Sequence, residues 1–229
     1  LSTDLSKQIK VSDDTIRRDI QQLAEAGKVI KFHGGALSPS FHNTYTSSKD
    51  VYAYQQKKII AKKAVSLIKD GMFILTTGGT TIIEMARALP LELKATFISG
   101  SIPALAEYIL HPNIEVIAIG DKISKDSKIT IGSDAISKIK ELKVDLCILG
   151  ISALNLENGV SDNDWEVVQV KKAMVESAGR LICLTIAEKV NSQQPIQVCD
   201  IKKIDTLITE LSPDDPLLGP YLRAGINVV

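Results

Sequence analysis

Two sets of residues in this sequence have types and spacings suited to chemistry. The first is Ser12-Asp13-Asp14-Thr15-Ile16-Arg17-Arg18-Asp19-Ile20, which sets two adjacent guanidinium groups inside a short helical pattern. Such groups reach guanine edges or phosphates when a helix presents them to a major groove. The second is a series of glycine- and hydroxyl-rich segments. These are Thr76-Thr77-Gly78-Gly79-Thr80-Thr81, Ser99-Gly100-Ser101, Gly120-Asp121-Lys122, and the run from Gly150-Ile151-Ser152-Ala153 to Asn158-Gly159-Val160-Ser161. Glycines admit close backbone approach, and hydroxyls beside the free amides of a helix start supply donors for an anion.

The arginines need a helix and a neighbour to hold it. Ser12 is placed to cap a helix whose first turn carries Asp13 and Asp14, acids that suit the positive end of the helix dipole. Ile16, Ile20 and Leu23 recur at i, i+4 and i+7, which predicts one buried stripe with Thr15, Arg17, Arg18 and Gln22 off it. Gly27 is expected to stop the helix. Upstream, Leu5 and Ile9 repeat the four-residue spacing behind a Ser2 or Thr3 cap, so a shorter helix precedes it across a tight turn at Lys10 and Val11. The run from Lys28 to Ala36 then reads as a wing that offers Lys31, His33 and Gly34 to DNA. The plainer alternative is that Arg18 pairs with Asp14 one turn earlier and the two helices are ordinary packing.

The glycine-rich segments need a sheet. Ile60, Ala64, Leu67 and Ile68 mark a helix over 51–69, ended by Gly71, with Lys57, Lys58, Lys62 and Lys63 on its wet side. After it, strands are predicted at 72–75, 95–98, 115–119, 146–149, 181–186, 206–208 and 226–229. Helical patterns at 81–89, 103–110, 133–142, 166–178 and 216–224 fall between most of them. That alternation predicts an α/β fold, a Rossmann-like mostly parallel sheet with helices on both faces. In such sheets a ligand sits at the carboxyl ends of the strands, where the four donor-rich segments fall, so one convergent site is expected. Residues 37–48 are rich in Ser, Thr, Pro and Asn and read as a linker. The organisation expected is therefore a DNA-binding domain at 1–37, a linker at 38–50 and a ligand domain at 51–229.

Composition narrows the classes. A chain of 229 residues, 45% of them hydrophobic, supports a small domain plus one larger core. Lys plus Arg and Asp plus Glu both number 27, so no global basic field steers the protein toward phosphate. Even residues 1–36 set Lys7, Lys10, Arg17, Arg18, Lys28 and Lys31 against Asp4, Asp13, Asp14, Asp19 and Glu25. DNA affinity must then come from placement and from two heads on a dimer. No apolar run of about 18 residues offers a membrane span and no signal peptide is visible, so a cytoplasmic protein with no membrane partner is expected. Cys147, Cys183 and Cys199 lack CxxC spacing and read as buried free thiols. No metal site and no cofactor is predicted.

Thr15-Ile16-Arg17-Arg18-Asp19 followed by His33-Gly34-Gly35-Ala36 resembles the winged helix-turn-helix of the DeoR family of bacterial transcription regulators, over residues 1–36. That family has a further helix before this pair, which needs about 10 more residues, so the resemblance implies that the sequence starts inside the domain with the first helix missing. From Lys57 to Val229 the chain resembles the family's effector domain, a fold shared with ribose phosphate isomerase. The family's Gly-Thr-Thr falls on Gly79-Thr80-Thr81, its glycine after the third strand on Gly120, and the glycine of its serine-glycine segment on Gly132. Its Asp-x-x-x-x-Gly runs from Asp145 to Gly150, its lysine before Ala-Met is Lys171 or Lys172, and the lysine closing Asp-Ser-Ser-Lys is Lys189. The resemblance implies a regulator, expected to be a repressor of carbohydrate metabolism genes, that binds a double-stranded DNA operator as a homodimer or homotetramer. Its effector would be a phosphorylated sugar or related anion at Thr77, Gly78, Gly79, Thr80, Thr81, Ser99, Gly100, Ser101, Gly120, Lys122, Gly150, Ser152, Lys171 and Lys189.

The chain departs from that family where sugar hydroxyls would be read. Thr77 stands for an Asp, Gly100 for an Asn, Asp121 for a second Gly, and Ile186-Ala187-Glu188 for Asp-Ser-Ser. Two other functions compete. In one, the large domain is a sugar phosphate isomerase, whose proton abstraction needs a carboxylate base, with Asp121, Asp162, Asp164 and Glu166 as candidates. No paired carboxylates stand at the strand ends, however, and acids at 162–166 fit caps of a helix start, so no catalytic residue is expected. In the other, the protein is a ligand-independent oligomeric regulator, with Trp165 either anchoring an interface or packing over a pocket lip.

Overall fold

The computed structural model describes residues 2–26, 28–32, 34–37 and 51–229. Expectations for Gly27, His33 and the 38–50 linker lie outside the described residues. The chain divides into two units, Leu1–Tyr52 and Ala53–Val229.

In the first unit, α1 (Ser2–Ile9) and α2 (Asp13–Glu25) are followed by β1 (Ile30–Phe32) and β2 (Gly35–Leu37), which pair antiparallel. Ser12 caps α2, its hydroxyl accepting from the Thr15 amide at 3.2 Å. Lys10, between the helices, takes a left-handed φ of 59° and turns the chain. Ser2 and Thr3 lie inside the first turn of α1, not ahead of it as caps. Ile16 and Ile20 are buried, but Leu23 is 39% exposed, so the stripe of α2 is shorter than its spacing predicts.

The second unit runs α3 (Tyr54–Val65), β3 (Phe73–Thr76), α4 (Thr80–Arg87), β4 (Thr96–Ser99), α5 (Ile102–Tyr108), β5 (Glu115–Ala118), β6 (Lys122–Ile123) and β7 (Thr130–Ile131). It continues with α6 (Ser133–Lys140), β8 (Val144–Gly150), β9 (Ala153–Asn155), β10 (Gly159–Asp162), α7 (Trp165–Ser177) and β11 (Ala178–Leu184). It ends with β12 (Ile196–Cys199), β13 (Thr206–Ile208), α8 (Gly219–Arg223) and β14 (Asn227–Val228).

Each of the seven strands read from the sequence lies in one parallel sheet, ordered β14-β13-β11-β8-β3-β4-β5. Leu146, Cys147, Ile148 and Leu149 of β8 are all fully buried, and since successive residues point to opposite faces, both faces of the sheet are covered at β8. From β3 the order steps outward through β4 to β5, and then from the other side of β3 through β8 to β14. The carboxyl ends of β3 and β8 therefore flank the topological switch point, where such sheets leave a crevice.

The antiparallel pieces were not legible in the sequence. β6 and β7 form a hairpin, and β12-β10-β9 form a separate three-stranded sheet, so part of the 150–161 run expected as a loop is strand. Lys57 corrects another expectation: it is 9% exposed, whereas Lys58 and Lys62 do face water. Lys63 turns back to donate to the carbonyls of Thr209 and Leu211 at 2.9 and 2.7 Å. Among the described residues no helix is long and apolar enough to cross a membrane, and no group of His, Cys, Asp or Glu is placed to hold a metal. Cys147, Cys183 and Cys199 are free and buried.

Gly159 begins β10 with φ +64°, and a Cβ there would overlap the Cys199 carbonyl of β12. Gly159→Ala is expected to lower stability by at least about 1–2 kcal/mol, read as a fall in the urea midpoint, and an unchanged midpoint would contradict this packing.

Candidate functional site

A cleft opens at the switch point, with about 320 Å³ of empty volume, its mouth included. Thr77, Gly78, Gly100, Ser101 and Lys171, all expected site residues, line it together with Thr76, Ile129, Thr130 and Met174. The Thr77 hydroxyl accepts from the Gly150 amide at 2.8 Å and so ties the end of β3 to the end of β8. Ser99 Oγ donates to the Thr76 carbonyl at 3.0 Å and accepts from the Ser101 amide at 3.1 Å. Ser101 Oγ caps α5 by accepting from Ala104. These hydroxyls shape the loops before any ligand arrives.

Each of α4, α5, α6 and α7 begins after the carboxyl end of a strand. Ser101 caps α5 and Asp164 caps α7, where it accepts from Val167 at 3.1 Å. Asp121 reaches across to the start of α6 and accepts from the amides of Asp134 and Ala135 at 3.0 and 3.1 Å. Those backbone amides, with that of Lys122, hold its carboxyl below the usual range. The remaining helix, α4, starts at Gly79 with no side-chain cap and no acid in its first turn. The amides of Thr80, Thr81 and Ile82 have no acceptor among the described residues. A helix start in that state favours an anion.

Lys171 is not a free cation. Its ammonium lies 2.6 Å from Asp162 Oδ2 and 3.2 Å from the Gly150 carbonyl, and both charged side chains are 7% exposed. The Ser152 hydroxyl and the Asn163 amide also donate to Asp162, at 2.9 and 2.7 Å. Burial by itself would raise the Asp162 carboxyl, but Lys171 and those donors outweigh it and the group lies below its ordinary value. Lys189 and Lys57 are the other cations nearby. Burial brings Lys189 down to about 8, helped by the ammonium groups of Lys57 and Lys171. Burial likewise lowers Lys57 to about 8, against the opposing pull of Glu84 and Glu188. Lys57 is thus a basic group that its helical spacing had assigned to solvent.

Several expected residues fall elsewhere. Lys122 is exposed on β6 and pairs with Glu166 at 3.2 Å, while Gly120 is exposed and its carbonyl meets Lys138. Gly79, Thr80, Thr81, Ser99, Gly150, Ser152 and Lys189 are not lining residues of the cleft, and Lys172 is exposed. The four carboxylates considered as bases are all engaged: Asp121 and Asp164 in caps, Asp162 with Lys171, Glu166 with Lys122. Trp165 is 66% exposed.

In the first unit, Arg17 and Arg18 are exposed on α2. The ion pair expected between Arg18 and Asp14 falls instead to Arg17, at 3.8 Å with both side chains mostly in water, a contact worth little. Thr15 Oγ1 lies 2.9 Å from Ser12 Oγ in the cap. Lys31 is exposed on β1 and donates to Gln21 of α2 at 2.6 Å. The Gly34 carbonyl accepts from the Ser2 amide at 2.8 Å.

A helix-turn-helix with a two-stranded wing in one unit, and an open α/β sheet with a cleft at its switch point in the other, define a DNA-binding transcriptional regulator that carries its own sensor domain. The chain belongs to the DeoR family. Residues 52–211 match the DeoR C terminal sensor domain and residues 2–41 the DeoR-like helix-turn-helix domain. It is 29% identical over 228 residues to the HTH-type transcriptional regulator GlpR of Haloferax volcanii, covering 98% of this chain and 89% of that protein. It is 30% identical over 217 residues to the Glycerol-3-phosphate regulon repressor of Haemophilus influenzae, covering 93% of this chain and 84% of the repressor. These relatives are regulators, and the chain is a regulator and not an enzyme. Among solved structures, eIF2B beta from Chaetomium thermophilum superposes over 74% of this chain and 53% of its own, with a TM-score of 0.53 and 17% identity, a likeness of fold alone.

Removing one partner of the Asp162 and Lys171 pair leaves an uncompensated buried charge. Lys171→Met should cost about 3–5 kcal/mol in urea unfolding, and adding Asp162→Asn should recover most of it. Because the folded Asp162 lies below its unfolded value, its contribution is present above the ordinary carboxylate range and is lost as pH falls through the folded value. Acid unfolding of the double variant should therefore begin at lower pH than in the wild type.

Proposed function

We propose that this regulator is a repressor of genes for carbohydrate metabolism, released or retuned by a phosphorylated sugar or related anionic metabolite. The observation that carries the reading is the start of α4: at the switch point its amides stand open, while the starts of α5, α6 and α7 are closed by Ser101, Asp121 and Asp164. A phosphate on Gly79, Thr80 and Thr81 meets the helix dipole there. Lys189 and Lys57 supply positive charge in the same unit. The name of the Haemophilus influenzae relative, a glycerol-3-phosphate regulon repressor, agrees with a small phosphorylated polyol or sugar as the effector class.

On the output side, α2 and the wing bind a double-stranded operator in the cytoplasm. Arg17 and Arg18 read or clamp the major groove, and Thr15, Lys31, His33 and Gly34 are further DNA contacts. One recognition helix per chain and a formal net charge of zero make two-fold binding to paired half-sites the natural source of affinity, so the working unit is a homodimer or homotetramer. The effector shifts the repressor between two arrangements by as much as it prefers one of them.

Arg17→Ala/Arg18→Ala should abolish the footprint on the operator while leaving the unfolding of the larger unit unchanged, and an intact footprint removes the DNA assignment. In calorimetry with a panel of sugar phosphates, Thr80→Asp should weaken binding about tenfold or more by placing a carboxylate on the α4 amides. Affinity in the wild type should fall as pH rises from 7 to 9, because Lys57 and Lys189 lose their protons near 8. Flat affinity across that range would exclude both lysines from the site.

A further inference from the structure

Most hydroxyls of the cleft are tied into the fold. Thr76 Oγ1 accepts from the Tyr108 hydroxyl at 3.1 Å, Thr77 Oγ1 accepts from the Gly150 amide, and Ser101 Oγ caps α5. Thr130 differs. It lines the same cleft, is 4% exposed, and its Oγ1 is buried without a hydrogen-bond partner. Its backbone is held on both sides, since the Thr130 amide donates to the Gly100 carbonyl at 2.8 Å and Thr130 pairs with Ile123 across the β6–β7 hairpin. The hydroxyl lies against Gly100 so closely that a Cβ there would overlap it. A buried hydroxyl without a partner carries a desolvation cost that a valine of the same shape avoids, so a ligand group that satisfies it gains what the free protein forgoes.

We propose that Thr130 is a specificity residue of the cleft, its Oγ1 hydrogen-bonding a hydroxyl of a polyol or sugar phosphate whose phosphate rests on the start of α4. The proposal rests on the phosphate reading above. A threonine hydroxyl both donates and accepts, which suits a ligand hydroxyl in either sense. Gly100 leaves room for the Thr130 hydroxyl, since a side chain at Gly100 would displace it. A site that pairs with a ligand hydroxyl discriminates against analogues that lack it.

The test is calorimetry on wild-type protein, Thr130→Val, Thr130→Ala and Thr130→Ser with glycerol 3-phosphate, propyl phosphate and inorganic phosphate. Wild-type protein and Thr130→Ser should prefer glycerol 3-phosphate to propyl phosphate. Thr130→Val and Thr130→Ala should lose about tenfold toward glycerol 3-phosphate and change little toward the other two. Thr130→Val without ligand should melt no lower than wild type, because its side chain has no hydroxyl to leave unpaired, and Thr130→Ala carries the comparison if the valine does not fold. A preference equal in wild type, Thr130→Val and Thr130→Ala, with all three compounds bound, overturns the role of Thr130 and leaves the phosphate site standing. Failure of the wild type to bind any of the three removes the phosphate site and this role with it.

Discussion

The buried pair of Asp162 and Lys171 is the interaction on which the sensor unit depends at its switch point. Taking two charges out of water costs several kcal/mol each, and their attraction offsets this only when the remaining donors and acceptors are also met. Here they are. Lys171 reaches the Gly150 carbonyl, and Asp162 takes the Ser152 hydroxyl and the Asn163 amide. The pair joins the end of β10 to α7 and anchors both to the last residue of β8. The Gly150 amide is in turn held by Thr77 from the end of β3. Four elements meet at one residue, and the cleft lies beside it.

That arrangement divides labour among the polar groups of the cleft. Hydroxyls and carboxylates that a sequence reading assigns to a ligand are largely consumed in closing helix starts and tying strand ends. What the hydrogen bonds of the described residues leave open is narrower: the amides at the start of α4 and the Thr130 hydroxyl. The four carboxylates weighed as catalytic bases are occupied in the same way. Each already serves a cap or an ion pair. A shared fold with eIF2B beta says nothing against this, since function resides in the groups placed at the strand ends and not in the sheet.

Six of the seven parallel strands were legible because they bury apolar residues in the core, while β5, mostly exposed at the sheet edge, was legible as a short apolar run. The short antiparallel pieces were not. β6, β7, β9, β10 and β12 are two to four residues long, too short to show a period, and the Asn155 of β9 and the Gly159 and Ser161 of β10 imitate a loop. Lys57 was misplaced for a related reason: helical spacing assigns a lysine to the wet face, and only the packing of α3 shows that this one is covered. Leu23 erred in the opposite direction, apolar by type and spacing yet 39% exposed.

By itself the sequence determined the α/β class, the seven-stranded sheet, the recognition helix with its Ser12 cap, and the glycine segments that follow β3 and β4, because these depend on local period and backbone freedom. Tertiary structure decided which polar groups remain for a ligand. Hydrogen bonds between residues far apart in the chain, such as Thr77 with Gly150 and Asp121 with the start of α6, satisfy some donors and leave others open. That choice is set by distance in space, which no spacing along the chain encodes.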